Sequence, residues 1–381
     1  MRQIKAIHFA VIPNSNNNAG DNFLYTLIRK IIEYFLQKKG FIVSWEIKSQ
    51  WEISSAESIR KSKADFILFG GGGLFLPDQN GACKSNNTGW QINIPAQDYY
   101  NFNIPYYGAA IGFNWFRFSK VDKNVIKNSA KSFIDNSSAM GIRNKGSIKE
   151  LESITGIRNK ISWLPCPTTL LKELLNSNIE TDLNKELHNK VSLERPLKDK
   201  TKKLNIGINL SCDRLDQRGI NNQTFISLRK SLLELIKKGH SLTYLAHKDL
   251  DLFAYEKIGK EDIFKSKINI STFDPNQIVS TYLDFDVFFG GRGHSLMIPF
   301  GIGIPIISLT THNKQKYFMD DCDLLNFSLE ITELSSEKIT NQLFKSIENI
   351  NMQKENNLKY QKKGLDAWKN FAEAISNKIR T

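Results

Sequence analysis

The sequence predicts an α/β protein made of two doubly wound, Rossmann-like domains that face a cleft, followed by C-terminal helices. Short apolar runs alternate with longer amphipathic stretches, which is typical of parallel strands covered by helices on both faces. The alternation stops in a polar segment, residues 172–203, and then restarts. The length of 381 residues also suits two domains of roughly 100–200 residues each.

In the N-terminal half, the predicted strands are short apolar runs, and the predicted helices repeat apolar residues every three or four positions. The clearest helix covers residues 22–39, where Phe23, Leu27 and Ile31 share one stripe and Gly40 ends it. The predicted strands are 4–12, 41–47, 65–69, 104–111 and 138–143, and the other helices are 54–63, 121–134 and 146–154. We place the N-terminal domain at 1–171 and an interdomain linker at 172–203. A solvated insertion inside one domain is the alternative for this linker.

The C-terminal half repeats the alternation with closer spacing. Its predicted strands are 204–210, 241–246, 268–273, 285–289 and 304–309, and its predicted helices are 224–238, 275–282 and 294–300. The second domain therefore covers 204–335, and the helical segment 336–381 is expected to pack back on the domains. Two such halves with a terminal helix make a GT-B-like architecture, in which ligands bind between the halves.

Composition narrows the class of protein. The chain has 52 Lys and Arg against 39 Asp and Glu, a net charge of +13, which indicates an anionic partner without choosing one. Its four cysteines contain no C-x-x-C pair, which fits reduced thiols in a cytosolic protein. No secretory pattern opens the sequence, and the apolar stretch 295–309 is shorter than the ~20 residues of a spanning helix. We expect a cytoplasmic protein that could also touch the inner face of a membrane.

The strongest candidate site follows the strand at 285–289, where Gly290-Gly291-Arg292-Gly293-His294 leads into a helix. Ligands of parallel sheets bind beyond the carboxyl ends of the strands, where a helix N-terminus adds N–H donors. Arg292 offers a planar fork for phosphate or carboxylate, and His294 can titrate near neutral pH. These residues predict an anion pocket with its own acid–base group. The alternative is a structural arginine at a turn and a histidine that caps the helix.

Other strand–helix turns carry polar residues that the same topology brings to one cleft. Glycines 70–73 let the backbone approach a ligand, although a tight turn without a ligand explains them as well. No Walker lysine follows them and no G-x-G-x-x-G occurs, which argues against a P-loop and a dinucleotide fingerprint. No metal-ligand spacing such as H-E-x-x-H occurs either, so no metal site is predicted. The remaining candidates are Asn14, Asp21 and Asn22 before the first helix, Trp90 in the loop 78–100, and Arg143, Arg214 and His247 after strands. Each has a structural alternative, such as helix capping for Asp21 or aromatic packing for Trp90.

In chain order, these motifs resemble the polysaccharide pyruvyl transferase family over about residues 4–320. The matching segments are 20–22, 69–75, 108–113, 141–147, 206–209, 292–294, 303–306 and Lys314. The most specific part is Arg292-Gly293-His294 followed by Gly303-x-Pro305 and Lys314. The chain departs from the family at Cys166, where the family often has Asp, and at Asn144, where an acidic residue is common.

The resemblance implies transfer of the pyruvyl group of phosphoenolpyruvate onto two hydroxyls of a sugar in a surface or extracellular polysaccharide, forming a cyclic ketal. It implies that His294 protonates the enol methylene and that Arg292 stabilises the leaving phosphate. Asp21 is the candidate base. The other donor-binding candidates are Arg143, Arg214, Lys314, Gly71 and Gly72, and the acceptor-binding candidates are Asn14, Asp21, Asn22, Trp90 and His247.

The same resemblance implies no cofactor, because phosphoenolpyruvate is a co-substrate, and a free sugar or lipid-linked glycan as acceptor. The excess positive charge is expected to favour an anionic membrane, and nucleic acid is not an expected partner. Two other functions stay open. A GT-B-type glycosyltransferase would bind a nucleotide-sugar in the same anion pocket. A non-enzymatic basic module would bind glycan or nucleic acid, but it calls for lysines clustered with aromatics, and the lysines here are spread over helices and the linker.

Overall fold

Two parallel six-stranded sheets form the framework of the protein. The structure is a computed structural model that describes residues 1–10, 18–49, 56–76, 88, 90–92, 94–113, 116, 123–192 and 203–380. In chain order the strands are β1 Arg2–Ala10, β2 Phe41–Ser49, β3 Phe66–Gly70, β4 Tyr106–Ile111, β5 Ala139–Ile142, β6 Ile161–Trp163, β7 Asn205–Asn209, β8 Ser241–Ala246, β9 Ser266–Asn269, β10 Val287–Gly290, β11 Ile306–Thr310 and β12 Ser328–Glu330. The first sheet has the order β2-β1-β3-β4-β5-β6 and the second β12-β11-β10-β7-β8-β9.

Helices connect the strands and cover both faces of each sheet. They are α1 Ala19–Lys38, α2 Ala56–Arg60, α3 Lys123–Asn136, α4 Lys145–Thr155, α5 Leu171–Asn176, α6 Lys185–Ser192, α7 Leu215–Arg218, α8 Asn222–Lys237, α9 Leu252–Ile258, α10 Pro275–Leu283, α11 Gly293–Gly301, α12 Asn313–Asp321, α13 Ser336–Glu348 and α14 Ile350–Arg380. Local sequence sets their ends. Asp274 caps α10 by accepting from the Gln277 N–H, and Gly156 ends α4 at a φ of +74°.

The doubly wound prediction is confirmed, with differences in detail. The three-residue strands β6 and β12 are absent from the prediction, because so few residues show no periodicity. Strand β9 begins at Ser266 rather than at residue 268, since this edge strand is partly exposed and lacks an apolar run. Residues 11–12, 54–55 and 121–122 of predicted elements lie outside the described residues. The domain boundaries stay a prediction; helix α6 and the buried Leu187 and Val191 lie within the segment assigned to the linker.

One apolar cluster continues from the first half of the chain into the second. It joins Leu24 of α1 and Phe66 of β3 to Phe288 of β10, and it includes Trp368 of α14. Helix α14 follows the second sheet in sequence and returns to the first. The Trp368 indole donates to the Pro165 carbonyl at 3.0 Å, and the Gln361 amide donates to the Gly301 carbonyl at 3.2 Å. The two halves are therefore held together by a shared core as well as by α14.

Candidate functional site

Five side chains from both halves meet where the carboxyl ends of the two sheets face each other. Asp21 lies in the first turn of α1, Arg143 directly follows β5, and Cys166 follows β6. His294 and Lys314 lie in the first turns of α11 and α12. We call these five residues the His294 cluster. Asp21, Arg143 and His294 are expected here from their positions after strands, and Lys314 from the family resemblance; the structure places all four together.

Gly20 allows the halves to approach so closely. A Cβ at Gly20 would lie 2.3 Å from the Cβ, Cγ and Nδ1 atoms of His294. Because the His294 side chain fills that position, only glycine leaves room for the imidazole against the start of α1. Asp21 is held beside it, since the Asn18 amide donates to Asp21 Oδ2 at 2.6 Å. Asp21 is thus in the first turn, and the N-cap position belongs to Asn18.

His294 lies between an acid and a thiol. Its Nδ1 is 3.6 Å from Asp21 Oδ1, and its Nε2 is 3.8 Å from Cys166 Sγ. Burial, followed by the positive charges of Arg143, Lys314 and Arg292, lowers the pKa of His294 well below its ordinary value. Without an anion in the site, the imidazole is therefore neutral at neutral pH.

Arg143 is buried with hydrogen-bonding capacity unused. Its relative exposure is 1%, and among the described residues no acceptor pairs with its Nε or Nη2. Gly112 makes room for it, because a Cβ there would lie 2.1 Å from Arg143 Nη2. Burying a charged group without partners is costly, so this guanidinium is poised for an anionic ligand. Two adjacent N–H donors of one fork also match the geometry of phosphate or carboxylate.

Lys314 is the second cation of the cluster. Burial and then the charge of Arg143 lower the pKa of its ammonium group to about 7. A Cβ on Gly293 would lie 3.5 Å from Lys314 Cε, which places the lysine beside the start of α11. Lys314 is therefore only partly charged near neutral pH, and a nearby anion would favour its protonated form.

Arg292 lies between β10 and α11 as the sequence predicts, but its guanidinium is already paired with two carboxylates. Its Nε donates to Asp251 Oδ2 at 2.7 Å and its Nη2 to Asp251 Oδ1 at 2.5 Å, while Nη2 lies 2.8 Å from Asp213 Oδ1. Arg218 pairs with Asp213 at 3.0 Å. Burial opposes the charge of Arg292, but Asp251 and Asp213 raise its pKa above the ordinary value. Two arginines thus balance two carboxylates, and the geometry favours Arg143 over Arg292 as the primary anion ligand.

Asp213 and Asp251 follow β7 and β8, and Arg292 lies between β10 and α11. Their pairing therefore holds the start of α11 against two other strand ends, which makes Arg292 a positioning residue for this helix. Asp251 is fully buried and also accepts from the backbone N–H of His247. Sequence reasoning missed both carboxylates as partners of Arg292. Their own positions just after strands at the same sheet edge were the available signal.

Replacing Arg292 with methionine is expected to destabilise the fold by about 3–5 kcal/mol, because the Asp251 carboxylate would stay buried without its partner. Denaturant unfolding of the purified variant measures this change. In the double variant Arg292→Met, Asp251→Asn, the unpaired charge is gone, and most of the stability should return. If Arg292→Met kept wild-type stability and lost only donor affinity, Arg292 would instead be a donor ligand.

The other predicted cations and glycines take supporting positions. Arg214 lies over the Phe116 ring, with its guanidinium carbon 5.0 Å from the ring centre, where the ring also stacks on His312. Gly71 and Gly72 have φ angles of +83° and +85°. The Gly72 carbonyl accepts from the Gly112 N–H at 2.9 Å, so the turn braces the strand end that makes room for Arg143.

Of the expected acceptor residues, Asp21 lies in the cluster, whereas Trp90 and His247 are packed in the protein interior. Trp90 is fully buried, stacked on Phe75 with ring centres 4.4 Å apart, and its indole donates to Ser129 Oγ at 2.7 Å. His247 is also fully buried, and its Nε2 pairs with the Tyr282 hydroxyl at 2.5 Å. These positions correct the prediction that both side chains face a sugar, since neither has a surface to offer it. Asn14 and the side chain of Asn22 lie outside the described residues.

Two features of the described residues bear on other classes of site. No three His, Cys, Asp or Glu side chains within the described part of the chain converge in a way that could hold a metal ion. Among the helices that the structure describes, none has the length and apolar character needed to cross a bilayer. The expectation of a reaction without metal or cofactor stays a prediction.

Comparison with known proteins gives a family match and a fold match. The sequence model described as polysaccharide pyruvyl transferase matches residues 2–313. No curated protein sequence matches significantly.

Among solved structures, a glycosyltransferase from Rickettsia africae is 10% identical, with a TM-score of 0.55 and all of both chains covered. A putative UDP-N-acetylglucosamine 2-epimerase from Listeria monocytogenes is 11% identical, with a TM-score of 0.54 and coverage of 94% of this chain and 91% of that one. The UDP-GlcNAc 2-epimerase from Neisseria meningitidis, bound to UDP-GlcNAc, is 12% identical, with a TM-score of 0.51 and 93% of each chain covered. At these identities the likeness shows the fold alone, which is GT-B-like.

Proposed function

This chain belongs to the polysaccharide pyruvyl transferase family, and on that premise we propose that it moves the pyruvyl group of phosphoenolpyruvate onto two hydroxyls of a sugar, forming a cyclic ketal. The acceptor is a free sugar or a lipid-linked glycan of a surface or extracellular polysaccharide. The single observation that carries the proposal is the buried Arg143, whose Nε and Nη2 have no acceptor among the described residues. A small dianionic or trianionic donor supplies what that group lacks.

Donor binding follows from the cations of the His294 cluster. Phosphoenolpyruvate carries a phosphate and a carboxylate, and the fork of Arg143 suits either of them. Lys314 supplies a second positive charge, and the first N–H groups of α11 supply dipolar stabilisation of an anion. The pocket therefore combines two cations with one imidazole, which matches an anionic donor that must also receive a proton.

The proton comes from His294 in this scheme. Binding of the anionic donor offsets the charges of Arg143 and Lys314, which lower the pKa of His294 in the empty site. The imidazole then takes up a proton and delivers it to C3 of the enol, so that C2 becomes electrophilic. Asp21, with Oδ1 facing Nδ1 and Oδ2 held by Asn18, is better placed to orient His294 than to act as the base assigned to it from sequence.

The atoms balance without a further reactant. The first sugar hydroxyl adds to C2 and loses its proton, while C3 gains one and becomes a methyl group. The second hydroxyl then displaces phosphate from C2, and its proton leaves with that phosphate. Arg143 and Lys314 stabilise the negative charge that grows on the departing phosphate. The products are a pyruvyl ketal and inorganic phosphate.

The direct test combines binding with turnover. Calorimetry with phosphoenolpyruvate should show saturable binding, and UDP-sugars and CMP should show none. Incubation with phosphoenolpyruvate and a panel of free and lipid-linked sugars should then release inorganic phosphate and yield a ketal detectable by mass spectrometry. Saturation by a sugar nucleotide with no response to phosphoenolpyruvate would favour the glycosyltransferase alternative.

Donor affinity is expected to fall as pH rises from about 7.5 to 9. In this pH range phosphoenolpyruvate is already ionised, because a phosphate monoester has a second pKa of ~6. The expected pH dependence of donor affinity therefore comes from the protein. Lys314, with a pKa of about 7, is mostly neutral in this range when the site is empty, and a bound donor raises that pKa. For each proton that the protein takes up when the donor binds, donor affinity falls by up to about tenfold for each unit rise in pH.

Calorimetry at pH 8 in two buffers of different ionisation enthalpy counts the protons directly. Lys314→Met should bind more weakly at pH 7 and take up one proton fewer, which leaves only the pH dependence that comes from proton uptake by His294. A donor affinity that stays constant between pH 7.5 and 9 in the wild-type protein would contradict the assigned role of Lys314.

We also propose a cytoplasmic location, with peripheral attraction to anionic membrane where lipid-linked glycans are built. The net charge of +13 supports that attraction. Co-sedimentation with vesicles that contain anionic lipid should be strong at low salt and weaken as salt is added. No co-sedimentation at low salt would remove this part of the proposal.

A further inference from the structure

Four polar side chains form a line through the imidazole of His294. Thr168 Oγ1 lies 3.1 Å from Cys166 Sγ, and that sulfur lies 3.8 Å from His294 Nε2. On the other side of the ring, Nδ1 lies 3.6 Å from Asp21 Oδ1. This last distance is longer than a hydrogen bond, as is common for catalytic pairs before a substrate binds.

One assignment of protons satisfies the whole line. The Thr168 hydroxyl donates to the sulfur, the Cys166 thiol donates to Nε2, and Nδ1–H points at the Asp21 carboxylate. This assignment requires a neutral imidazole, which is the form that the buried, cation-rich surroundings favour. This assignment corresponds to the Nδ1–H tautomer of His294, in which Nε2 is the atom that exchanges protons.

The thiol is held in place by rigid neighbours. Cys166 stands between Pro165 and Pro167, whose rings fix the backbone on both sides. The Pro165 carbonyl accepts from Trp368 of α14, and the Cys166 carbonyl accepts from the Thr169 N–H at 2.9 Å. The turn that follows Cys166 packs against α11, the helix that carries His294, because a Cβ on Gly301 would lie 2.0 Å from the Thr168 carbonyl oxygen.

A second observation ties this line to a ligand. Arg143 is buried with two nitrogens unpaired among the described residues, and its charge acts on both His294 and Lys314. The groups that contact His294 or act on its charge are Asp21 from α1, Arg143 after β5, Cys166 after β6, Arg292 after β10 and Lys314 from α12. His247 after β8 interacts with His294 through charge alone. Cys166 is the only sulfur among them, and it contacts the reactive nitrogen.

We propose that Cys166 is a positioning residue that selects the tautomer of His294 and, as a weak partner, leaves the proton on Nε2 free for transfer to the donor. The proposal rests on the proposed function, because it assigns His294 as the proton donor. Sulfur donates and accepts hydrogen bonds weakly. When His294 is charged, a carboxylate in this place would hold the proton, whereas the thiol yields it to the weakly basic C3 carbon.

Three substitutions at one position test the proposal. Cys166→Ala should lower kcat by about tenfold, the lower end of the effect of losing an orienting partner, and leave the donor KM within about threefold. Cys166→Ser, which keeps a donor, should recover part of kcat. Cys166→Asp should move the alkaline limb of the kcat profile upward by about 1 pH unit or more, because an opposite charge raises the pKa of the imidazolium. Cys322→Ala, at a buried cysteine outside the cluster, is the matched control and should change none of these values.

A measurement without donor separates this inference from the proposed function. NMR of the ¹⁵N-histidine-labelled protein reports the tautomer and titration of His294, with His294→Gln used to assign its signals. We expect the Nδ1–H tautomer in the wild type, a mixture of tautomers in Cys166→Ala, and a raised pKa in Cys166→Asp. Identical His294 signals in all three proteins, or an unchanged kcat in Cys166→Ala, would overturn the proposal even if phosphoenolpyruvate is the donor. A failure to bind phosphoenolpyruvate leaves the NMR result standing and refutes the proposed function alone.

Discussion

Replacing His294 with alanine is expected to lower kcat for pyruvyl transfer by about 10²–10⁴-fold, the usual contribution of a positioned general acid. Donor affinity should fall much less than turnover, because Arg143 and Lys314 supply the main positive charges and His294 becomes charged only when the donor is bound. Steady-state phosphate release and calorimetric binding of phosphoenolpyruvate, measured on the same preparation, separate the two effects. His294 lies at the tight contact with Gly20, so a smaller residue fits without a clash.

The matched control is His240→Ala. His240 is a half-buried histidine whose Nδ1 accepts from the Leu204 N–H, away from the cluster. It should keep wild-type kcat. A His294→Ala protein with near-normal turnover would remove His294 from the mechanism, and loss of donor binding with unchanged kcat at saturation would make it a ligand rather than an acid.

Replacing Arg143 with methionine is expected to weaken phosphoenolpyruvate binding by on the order of 10²-fold or more, since two charge-assisted hydrogen bonds to the donor are lost. The same change should leave the empty protein as stable as the wild type or more so. It removes a buried charge that lacks partners at Nε and Nη2 among the described residues and keeps an unbranched side chain beside Gly112. Calorimetry gives the affinity, and thermal unfolding without donor gives the stability.

Lys149→Met is the control for the loss of one positive charge. Lys149 is exposed on α4, a few residues after Arg143, so its removal should change donor affinity by less than about threefold. The outcome that contradicts the anion-pocket argument is unchanged donor affinity in Arg143→Met. A large loss of stability in that variant would show instead that Arg143 has a structural partner.

The parts of the fold that the sequence predicts are those with a strong apolar signal. Strands β3 and β4 are buried along their whole length and read as continuous apolar runs, and α1 shows a full apolar stripe. By contrast, β6 and β12 have three residues each, and their pairing depends on neighbours in the sheet rather than on their own composition. Short helices such as α7 and α12 likewise depend on tertiary contacts, because an isolated helix of that length is unstable in water.

At the candidate site, too, the sequence predicts some features and not others. Position after a strand predicts that Asp21, Arg143 and His294 converge, since parallel strands end at a common edge, whereas Lys314 is expected only from the family resemblance. Position does not predict which cation is already paired. The Gly-Gly-Arg-Gly-His motif favours Arg292 as the anion ligand, yet Asp213 and Asp251 come from two other strand ends, and their side chains reach Arg292 only in the folded sheet. The interaction of Cys166 with His294 joins residues 128 positions apart and has no local pattern.

The crossing of α14 has a consequence for biosynthesis. The large apolar cluster needs Trp368, Phe371 and Ile375, which the ribosome adds only after both sheets have been translated. Until then, the face of α1 that α14 covers and the loop that presents Cys166 lack their packing partners. A nascent chain that lacks α14 is thus expected to expose apolar surface and to bind chaperones, as incompletely folded intermediates do. Assembly of the His294 cluster is therefore expected to follow the synthesis of both sheets and of α14, rather than to proceed domain by domain.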